Sequence, residues 1–212
     1  KERIKKSEAD VHIFQTPVLP FFGRPKNSVI ITQDYPYKYI KSKNIKEWAK
    51  YKIIYFYHKL SLKRSDMIIA VSESSKEDTI KFFKIPEGKI KVVYMGYKKI
   101  CAVSESEISL PKNFFLFVGV IKERKNFFNI VKAFELFKKE NPESNYKLAA
   151  AGKTGNDYYK AVKKYIDDNN LSKEIIFLEY LNDSQLSYLY KRATILVFPS
   201  IVEGFGFPVL EA

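Results

Sequence analysis

The sequence predicts an α/β protein with two domains, each built on a parallel β-sheet that helices cover on both faces. Three observations lead to this prediction. Short runs of apolar residues alternate along the chain with longer stretches of helical periodicity. Almost every position within a run is apolar, which is typical of parallel strands that are buried on both faces. One polar stretch, residues 97–113, interrupts the alternation and contains a proline, which favours a linker between domains.

Eight of the apolar runs predict strands, because they are short, rich in β-branched or aromatic residues and bounded by turn residues. They cover residues 10–14, 29–33, 67–71, 91–95, 114–119, 146–152, 174–180 and 195–200. We therefore predict a first domain at 1–100, a linker at 101–113 and a second domain at 114–212.

Five stretches between the runs predict helices, because their apolar residues recur at helical spacing. They cover residues 45–63, 74–84, 127–139, 157–169 and 183–193. Ser74 and Glu77 have the spacing of a capping box, and the pair Asp183-Ser184 suits the start of the fifth helix. A sixth helix is predicted to begin near Phe207, with Pro208 in its first turn.

The composition limits the function classes. The chain has 212 residues with 37 basic and 24 acidic side chains, a formal charge of +13 that favours anionic partners. The lysines are scattered and accompany no nucleic-acid motif, so a nucleic-acid partner is not predicted. No apolar run is long enough to span a bilayer. The single cysteine, Cys101, excludes an internal disulfide framework and suits a cytoplasmic protein.

Two predicted strand ends carry residues suited to binding phosphate. Ligands of open parallel sheets bind at the carboxyl ends of the strands. One run ends at Gly119 and is followed by Arg124 and Lys125 just before a helix, where backbone N–H groups and the helix dipole favour an anion. Another run ends at Gly152, whose missing side chain allows close approach of a ligand.

The last run precedes a glycine turn between two acidic residues. Gly204 and Gly206 leave the backbone N–H groups of this turn accessible to a ligand. Glu203 comes directly before the turn and Glu211 about two helical turns after it. Because a carboxylate accepts two hydrogen bonds from sugar or ribose hydroxyls, we expect both glutamates to face one ligand, one near each end.

The string FPSIVEGFGFPVLEA, with Glu203 and Glu211, resembles the E-x7-E motif of family 4 of the retaining glycosyltransferases. Four further segments are similar to segments of that family and occur in its order: DMIIAVSESSKEDTIKFF, VVYMGYKK, FLFVGVIKERKNFFNIVKAF and LSYLYKRATILVFPS. The resemblance implies the GT-B fold, which has two Rossmann-like domains with the active site in the cleft between them. It also implies that the N-terminal domain is incomplete here and the C-terminal domain truncated.

The resemblance implies a chemistry as well. A hexosyl group, mannosyl- or glucosyl-like, would move from a GDP- or UDP-linked donor with retained anomeric configuration, without cofactor or metal. Lys125 would hold the donor diphosphate, Glu203 would lie against the donor sugar, and these two are the predicted catalytic residues. Glu211 would bind the ribose. The remaining predicted donor-binding residues are Gly119, Arg124, Gly152, Gly204, Phe205, Gly206 and Phe207.

Two departures from the family pattern leave alternatives open. Val120 stands where many relatives have arginine, and Gln33, the expected contact of the donor sugar, stands where they often have histidine. A non-catalytic nucleotide-sugar-binding or membrane-docking module is therefore the alternative. The resemblance further implies a glycan, glycolipid or sugar-phosphate acceptor and a place in the cytoplasm. The basic helix at 45–64 suits either peripheral contact with an anionic inner membrane face or plain exposure to solvent.

Overall fold

The computed structural model describes residues 9–23, 25–97 and 110–212. The chain divides into two compact units. The first comprises the residues up to Gly96 together with Val202–Phe205, and the second comprises Tyr97–Ile201 with Gly206–Ala212. Most of the predicted linker, 101–109, lies outside the described residues. Within the described residues, every helix is too short or too polar to cross a bilayer.

The first unit contains a four-stranded parallel sheet whose spatial order follows the chain, β1-β2-β3-β4. Its strands are β1 (His12–Phe14), β2 (Ser28–Thr32), β3 (Met67–Ala70) and β4 (Ile90–Val92). Its helices are α1 (Ile45–Arg64) and α2 (Glu73–Phe83). All four strands fall inside or within two residues of their predicted runs, which confirms the parallel sheet expected from the apolar patterning.

The core of the first unit lies where the sheet meets its helices. Ile30 and Ile68 are paired in register on adjacent strands and are fully buried, as are Leu62 of α1 and Phe83 of α2. Burying an aliphatic or aromatic side chain of this size contributes about 1.5–3 kcal/mol. This core therefore holds the carboxyl ends of β2 and β3 in place.

The second unit contains a parallel sheet with the spatial order β7-β6-β5-β8. Its strands are β5 (Phe114–Val118), β6 (Lys147–Ala151), β7 (Ile175–Leu178) and β8 (Ile195–Leu196). Its helices are α3 (Phe127–Glu140), α4 (Asp157–Asp168), α5 (Asp183–Arg192) and α6 (Phe207–Glu211). The chain runs outward from β5 to β7 and then returns to add β8 on the other side of β5.

Helix α3 covers one face of the second sheet with the stripe that its periodicity predicts. Phe127, Ile130, Val131 and Phe134 are buried, and Phe137 packs against the same cluster. The ring centroids of Phe127 and Phe117 of β5 lie 4.8 Å apart, a separation typical of packed aromatic pairs. The helix therefore fixes the position of the loop that joins it to β5.

The predicted N-caps of two helices are wrong. Helix α2 begins at Glu73, and its N-cap is Ser72, whose hydroxyl accepts a hydrogen bond from the N–H of Ser75. Ser74, the predicted cap, is exposed inside the first turn. Ser72 takes the role because it directly follows the buried strand end and has the extended backbone that an N-cap requires.

In helix α5 the predicted N-cap is also displaced toward the C-terminus, here by one position from Asp183. Asn182, not the pair Asp183-Ser184, is its N-cap and forms a capping box with Gln185. Asparagine, aspartate and serine cap about equally well, so three adjacent candidates leave the choice to the backbone conformation.

Candidate functional site

The order of the second sheet reverses at β5. Strands β6 and β8 lie on opposite sides of β5, which makes the carboxyl end of β5 the switch point of the sheet. This switch point is where open parallel sheets bind their ligands. The loop after β5 carries the predicted residues Gly119, Arg124 and Lys125, and the loop after β8 leads to Gly206.

The two loops are held together by backbone and amide hydrogen bonds. The backbone N–H of Ile201 donates to the carbonyl of Arg124 over 2.8 Å. The side-chain amide of Asn126 donates to the carbonyl of Pro199 over 3.2 Å. Asn126 can serve both the loop and the start of α3 because it adopts a left-handed backbone with φ of 60°. The loops therefore form one structure rather than two independent turns.

Lys125 is a buried residue of these two joined loops. Its side chain is 8% exposed, and its Nζ lies 5.1 Å from the centroid of the Phe198 ring, within range of a cation–π contact. A β-carbon at Gly119 would lie 3.5 Å from Cε of Lys125, and a β-carbon at Gly206 would lie 3.7 Å from the Phe198 ring. The structure thus brings together three residues of the predicted site. Lys125 lies against Gly119 on one side and near the ring of Phe198 on the other, and Gly206 lies beside that ring.

The start of α3 is less open to an anion than the sequence predicts. The N–H of Phe128, in the first turn, donates to the hydroxyl of Tyr158 over 2.9 Å. Burial raises the pKa of Tyr158, while this bond acts in the opposite direction. The tyrosine therefore stays neutral near neutral pH and occupies one of the backbone donors that we assigned to phosphate.

Gly152 is needed for a steric reason that the sequence does not reveal. A β-carbon there would lie 2.1 Å from the carbonyl oxygen of Gly119, far inside van der Waals contact, and its φ of 147° is unfavourable for other residues. The missing side chain makes room for the backbone at the end of β5, and Gly152 also lines the pocket at the ends of β5, β6 and β7. Because that backbone is the loop that holds Lys125, Gly152 acts on the site indirectly.

An open pocket of about 590 Å³ lies at the carboxyl ends of β5, β6 and β7. Its lining residues are Val118, Gly119, Val120, Ala151, Gly152, Lys153, Thr154, Glu179, Tyr180, Leu181 and Leu186. Its volume is within the range of small-molecule sites, about 300–1,000 Å³. The sequence did not single out four of these lining residues: Lys153 and Thr154 directly follow the predicted run 146–152, and Glu179 and Tyr180 are the last two residues of the predicted run 174–180.

Glu211 is held by a tyrosine of the preceding helix. The hydroxyl of Tyr190 in α5 donates to Oε2 of Glu211 over 2.9 Å. Burial raises the pKa of Tyr190, and the bond to the carboxylate raises it further, so the hydroxyl remains a donor across the physiological range. Helix α6 begins after Gly206, whose φ of 86° suits glycine, with Pro208 in its first turn as predicted.

The remaining predicted residues belong to the first unit. The carbonyl of Gly204 accepts hydrogen bonds from the hydroxyls of Ser72, over 2.6 Å, and Ser75, over 3.3 Å. The Ser75 hydroxyl has a single proton, which it shares between this carbonyl and the carbonyl of Gln33 as a bifurcated donor. A β-carbon at Gly204 would lie 3.0 Å from the carbonyl carbon of Gln33. The open side of Gly204 therefore faces the backbone of Gln33, and the binding of a ligand by the backbone of Gly204 stays a prediction.

The predicted site residues are thus divided between the two units. Gln33, Glu203, Gly204 and Phe205 belong to the first, and Gly119, Arg124, Lys125, Gly152, Gly206, Phe207 and Glu211 to the second. Glu203 is partly buried, and the ring of Phe205 lies 6.4 Å from that of Tyr94. Ser72 and Ser75 were missed as supports of this loop, although a serine at the start of a helix after a strand is a recognisable capping signal.

The chemistry that the second unit can perform is binding of an anion beside an apolar pocket. Lys125 supplies a positive charge in a poorly solvated position, where electrostatic interactions are stronger than in water. Within the described residues, no group of three or more His, Cys, Asp or Glu side chains is arranged to hold a metal ion.

Comparison with known families matches both parts of the chain. The sequence profile of the family described as Glycosyl transferases group 1 matches residues 102–212, which is more than half of the chain. The profile described as Glycosyltransferase Family 4 matches residues 1–98. The chain is 32% identical over 157 residues to the O-antigen chain mannosyltransferase RfbU of Salmonella typhimurium, which covers 74% of this chain and 42% of the relative.

Solved structures share the fold. A sucrose-phosphate synthase from Thermosynechococcus elongatus superposes with a TM-score of 0.70 at 18% identity, covering 87% of this chain and 47% of that one. Anabaena Alr3699/HepE, solved in complex with UDP and glucose, gives a TM-score of 0.69 at 18% identity and covers 87% and 50%. The predicted GT-B fold is confirmed. The chain spans about half the length of these proteins, or less.

Proposed function

Because the chain belongs to the glycosyl transferases group 1 family, we propose that it is part of an enzyme that transfers a hexosyl group from a nucleotide-diphosphate sugar with retained anomeric configuration. The observation that carries this proposal is Lys125, a buried lysine at the switch point of a parallel sheet, beside Gly119 and near Gly206. A cation in that position can stabilise a departing diphosphate.

The donor diphosphate is the ligand of the switch point. Lys125 bonds to its oxygens, and Arg124 adds a second cation from the same turn. The charge that develops on the leaving diphosphate is stabilised by these side chains, so this proposal assigns no step to a metal. Each well-placed donor of this kind contributes about 3–4 kcal/mol to stabilisation of the transition state.

The nucleoside of the donor occupies the pocket at the ends of β5, β6 and β7, which is large enough for it. Glu211, oriented by Tyr190, accepts hydrogen bonds from the ribose hydroxyls. Glu203 binds the donor sugar. A mannosyl group on GDP or UDP is our first choice of donor, because the most similar relative reported above is a mannosyltransferase.

The acceptor that we propose is a growing polysaccharide or glycolipid of the O-antigen type, by analogy with the same relative. Such an acceptor places the reaction at the cytoplasmic face of a membrane. A sugar-phosphate acceptor is the alternative that the sucrose-phosphate synthase suggests. Product analysis with both acceptor classes distinguishes them.

The first test replaces Lys125 with methionine, which keeps the aliphatic stem and removes the charge. We expect the transfer rate of the full-length enzyme, assayed with a panel of GDP- and UDP-sugars, to fall at least about 100-fold. Lys122→Met is the matched control, since Lys122 is an exposed lysine of the same loop. A Lys125→Met enzyme that folds and turns over at the wild-type rate would reject the proposed role.

The second test concerns Glu211. We expect Glu211→Ala to weaken the affinity for the nucleoside diphosphate more than it changes the preference among donor sugars. Calorimetry with UDP and GDP measures the affinity directly. Unchanged affinity would count against the assignment to ribose.

A non-catalytic nucleotide-sugar-binding module is the second candidate. Val120 favours it, because this apolar residue lines the pocket where the family often has arginine. Such a module binds nucleotide sugars with the same residues but forms no product. Calorimetry and product analysis on one preparation therefore separate the two candidates.

A further inference from the structure

The first unit contains a second pocket, whose lining includes none of the predicted donor-site residues. It has a volume of about 360 Å³ and lies between the turn at Pro36–Lys38 and the amino-terminal half of α1. This volume is at the lower end of the range for small-molecule sites. It is large enough for one or two sugar rings and too small for a nucleotide sugar.

Aromatic side chains form much of its wall. Tyr37, Trp48, Tyr51 and Tyr55 line the pocket, and Trp48 is 50% exposed. The ring centroids of Tyr37 and Tyr51 lie 6.0 Å apart at an angle of 42°. Aromatic rings offer flat apolar faces, and tyrosine and tryptophan add a polar edge. The C–H face of a pyranose ring and its hydroxyl edge require the same combination.

Two lysines complete the wall. Nζ of Lys38 lies 4.5 Å from the centroid of the Tyr55 ring, and Nζ of Lys52 lies 5.4 Å from that of Trp48. Within the part of the chain that the structure describes, neither lysine forms an ion pair. The segment 38–59 contains seven lysines and a single glutamate. That glutamate, Glu47, accepts a hydrogen bond from the hydroxyl of Tyr51 over 2.9 Å. The excess of lysines still leaves the segment positive, which attracts an anionic ligand.

From this juxtaposition of aromatic rings and lysines we infer that the pocket binds an anionic sugar, a pyranose that carries a carboxylate or a phosphate. The rings stack on the sugar, and Lys38 and Lys52 bond to its acidic group. The inference rests on the proposed function in one respect: in a glycosyltransferase such a ligand is the acidic residue of the acceptor glycan, so the acceptor is an anionic saccharide.

A membrane surface is the competing partner of a basic aromatic helix, and the shape of the pocket favours the sugar. The wall is concave and more polar than apolar, with the hydroxyl of Ser42 among its groups. The most exposed apolar side chains of α1, Ile45, Ile53 and Phe56, do not line it. A lipid surface contacts convex apolar side chains of that kind.

Trp48 makes the inference testable, because it is the only tryptophan in the sequence. We expect glucuronic acid and glucose 6-phosphate to change the fluorescence of Trp48 saturably in the full chain at about 0.15 M salt, where long-range charge effects are screened. Glucose tests the need for the acidic group. Inorganic phosphate and acetate test the need for the sugar ring.

The matched variants are Lys52→Gln and Lys50→Gln, which make the same charge change on the same helix. Lys52 lines the pocket, and Lys50 is exposed and does not. We expect Lys52→Gln to weaken the binding of both anionic sugars about tenfold, the loss of one charge-assisted hydrogen bond. We expect Lys50→Gln to change it by less than about twofold.

Several outcomes would overturn the inference. If glucose bound as tightly as the anionic sugars, the acidic group would not be required. If inorganic phosphate bound as tightly, the sugar ring would not be required. Equal losses in the two lysine variants would show a diffuse basic surface instead of a pocket. Sugar binding seen by calorimetry without a change in Trp48 fluorescence would place the ligand elsewhere. A blue shift with vesicles of phosphatidylglycerol, and no response to the sugars, would assign the surface to a membrane.

The result is separable from the proposed function. Binding of GDP or UDP, measured by calorimetry on the same protein, reports on the second unit, and Trp48 reports on the first. A protein that binds anionic sugars at Trp48 and forms no product from nucleotide sugars contradicts the transferase and retains this site. A protein that transfers hexose and shows no Trp48 response supports the transferase and contradicts this site.

Discussion

Gly152 shows how much one missing side chain contributes to the second unit. Any β-carbon there would overlap the Gly119 carbonyl at 2.1 Å, and the φ of 147° strains any other residue. Gly155 also has a positive φ, 90°, but has open space around its β-carbon position. Comparing an alanine at Gly152 with one at Gly155 therefore separates the cost of steric overlap from the cost of backbone strain.

We expect Gly152→Ala to lower the free energy of unfolding by about 3 kcal/mol, and Gly155→Ala by about 1 kcal/mol. Urea denaturation followed by far-UV circular dichroism measures both. Because the displaced backbone leads to Lys125, Gly152→Ala should also weaken nucleotide binding. Equal losses of stability in the two variants would show that the overlap is relieved at no cost.

His58 predicts a pH dependence of the first unit. Burial lowers the pKa of His58 to about 4, below its ordinary value of 6.5, and the ring is bonded to the Tyr37 hydroxyl over 2.9 Å. The unfolded chain therefore binds a proton that the folded chain does not, between about pH 4 and 6.5. The stability of the first unit falls as the pH drops through this window, and the contribution is fully present above it.

In the wild type we expect the free energy of unfolding to fall by about 1–2 kcal/mol between pH 7 and 5, a figure reduced for the partial exposure of the His58 ring. We expect His58→Gln to remove this fall. Urea titrations followed by Trp48 fluorescence report on the first unit. Measurements near pH 7.5 are the control, because His58 is neutral there in both states. A slope that is the same in the variant and the wild type would contradict the expectation.

At the scale of elements, the start of α2 offers a test between the predicted and the observed cap. Ser72 accepts from the N–H of Ser75 and donates to the carbonyl of Gly204. We expect Ser72→Ala to destabilise the first unit by about 1–2 kcal/mol. Ser74→Ala removes the same hydroxyl from the same turn at an exposed position and should cost less than about 0.5 kcal/mol. Urea denaturation followed by Trp48 fluorescence decides between the two caps, and a larger loss from Ser74→Ala would reverse the assignment.

The elements themselves were predictable because their signals are local. The strand β5 and the helix α3 were predicted to within about one residue from apolar runs and the 3.6-residue period. The caps were not, since Ser72 and Ser74, or Asn182 and Asp183, are chemically near-equivalent neighbours. Only the backbone conformation chooses between them, and that depends on how the preceding strand ends.

The site residues, like the elements, were predictable only where the signal is local in sequence. Lys125 and Gly119 were predicted together because they lie six residues apart in one loop. The function of Gly152 was not, because its steric partner is Gly119, a residue on a neighbouring strand. The steric neighbour of Gly204 was not predicted for the same reason, since Gln33 is distant in sequence. A glycine in a sequence indicates that a side chain would not fit, but not which neighbouring group occupies the space.

At the scale of the whole molecule, the formal charge of +13 acts on every anionic ligand. We expect the affinity for GDP to fall about tenfold when the salt concentration rises from about 0.05 to 0.5 M, as screening shortens the range of the charges. Guanosine, which has no phosphate, is the control and should lose less than about twofold. Calorimetry at both salt concentrations measures this, and equal losses would show that the charge of the protein does not contribute to donor binding.

The reversal of strand order at β5 has an evolutionary consequence. The notch above that strand arises from the path of the polypeptide and requires no particular side chain. A substitution of Lys125 would leave this notch intact, so the sheet would keep a binding site for small molecules. Substitutions at a few loop positions can therefore change which ligand binds in this notch. The hydrophobic strands beneath need only to remain well packed.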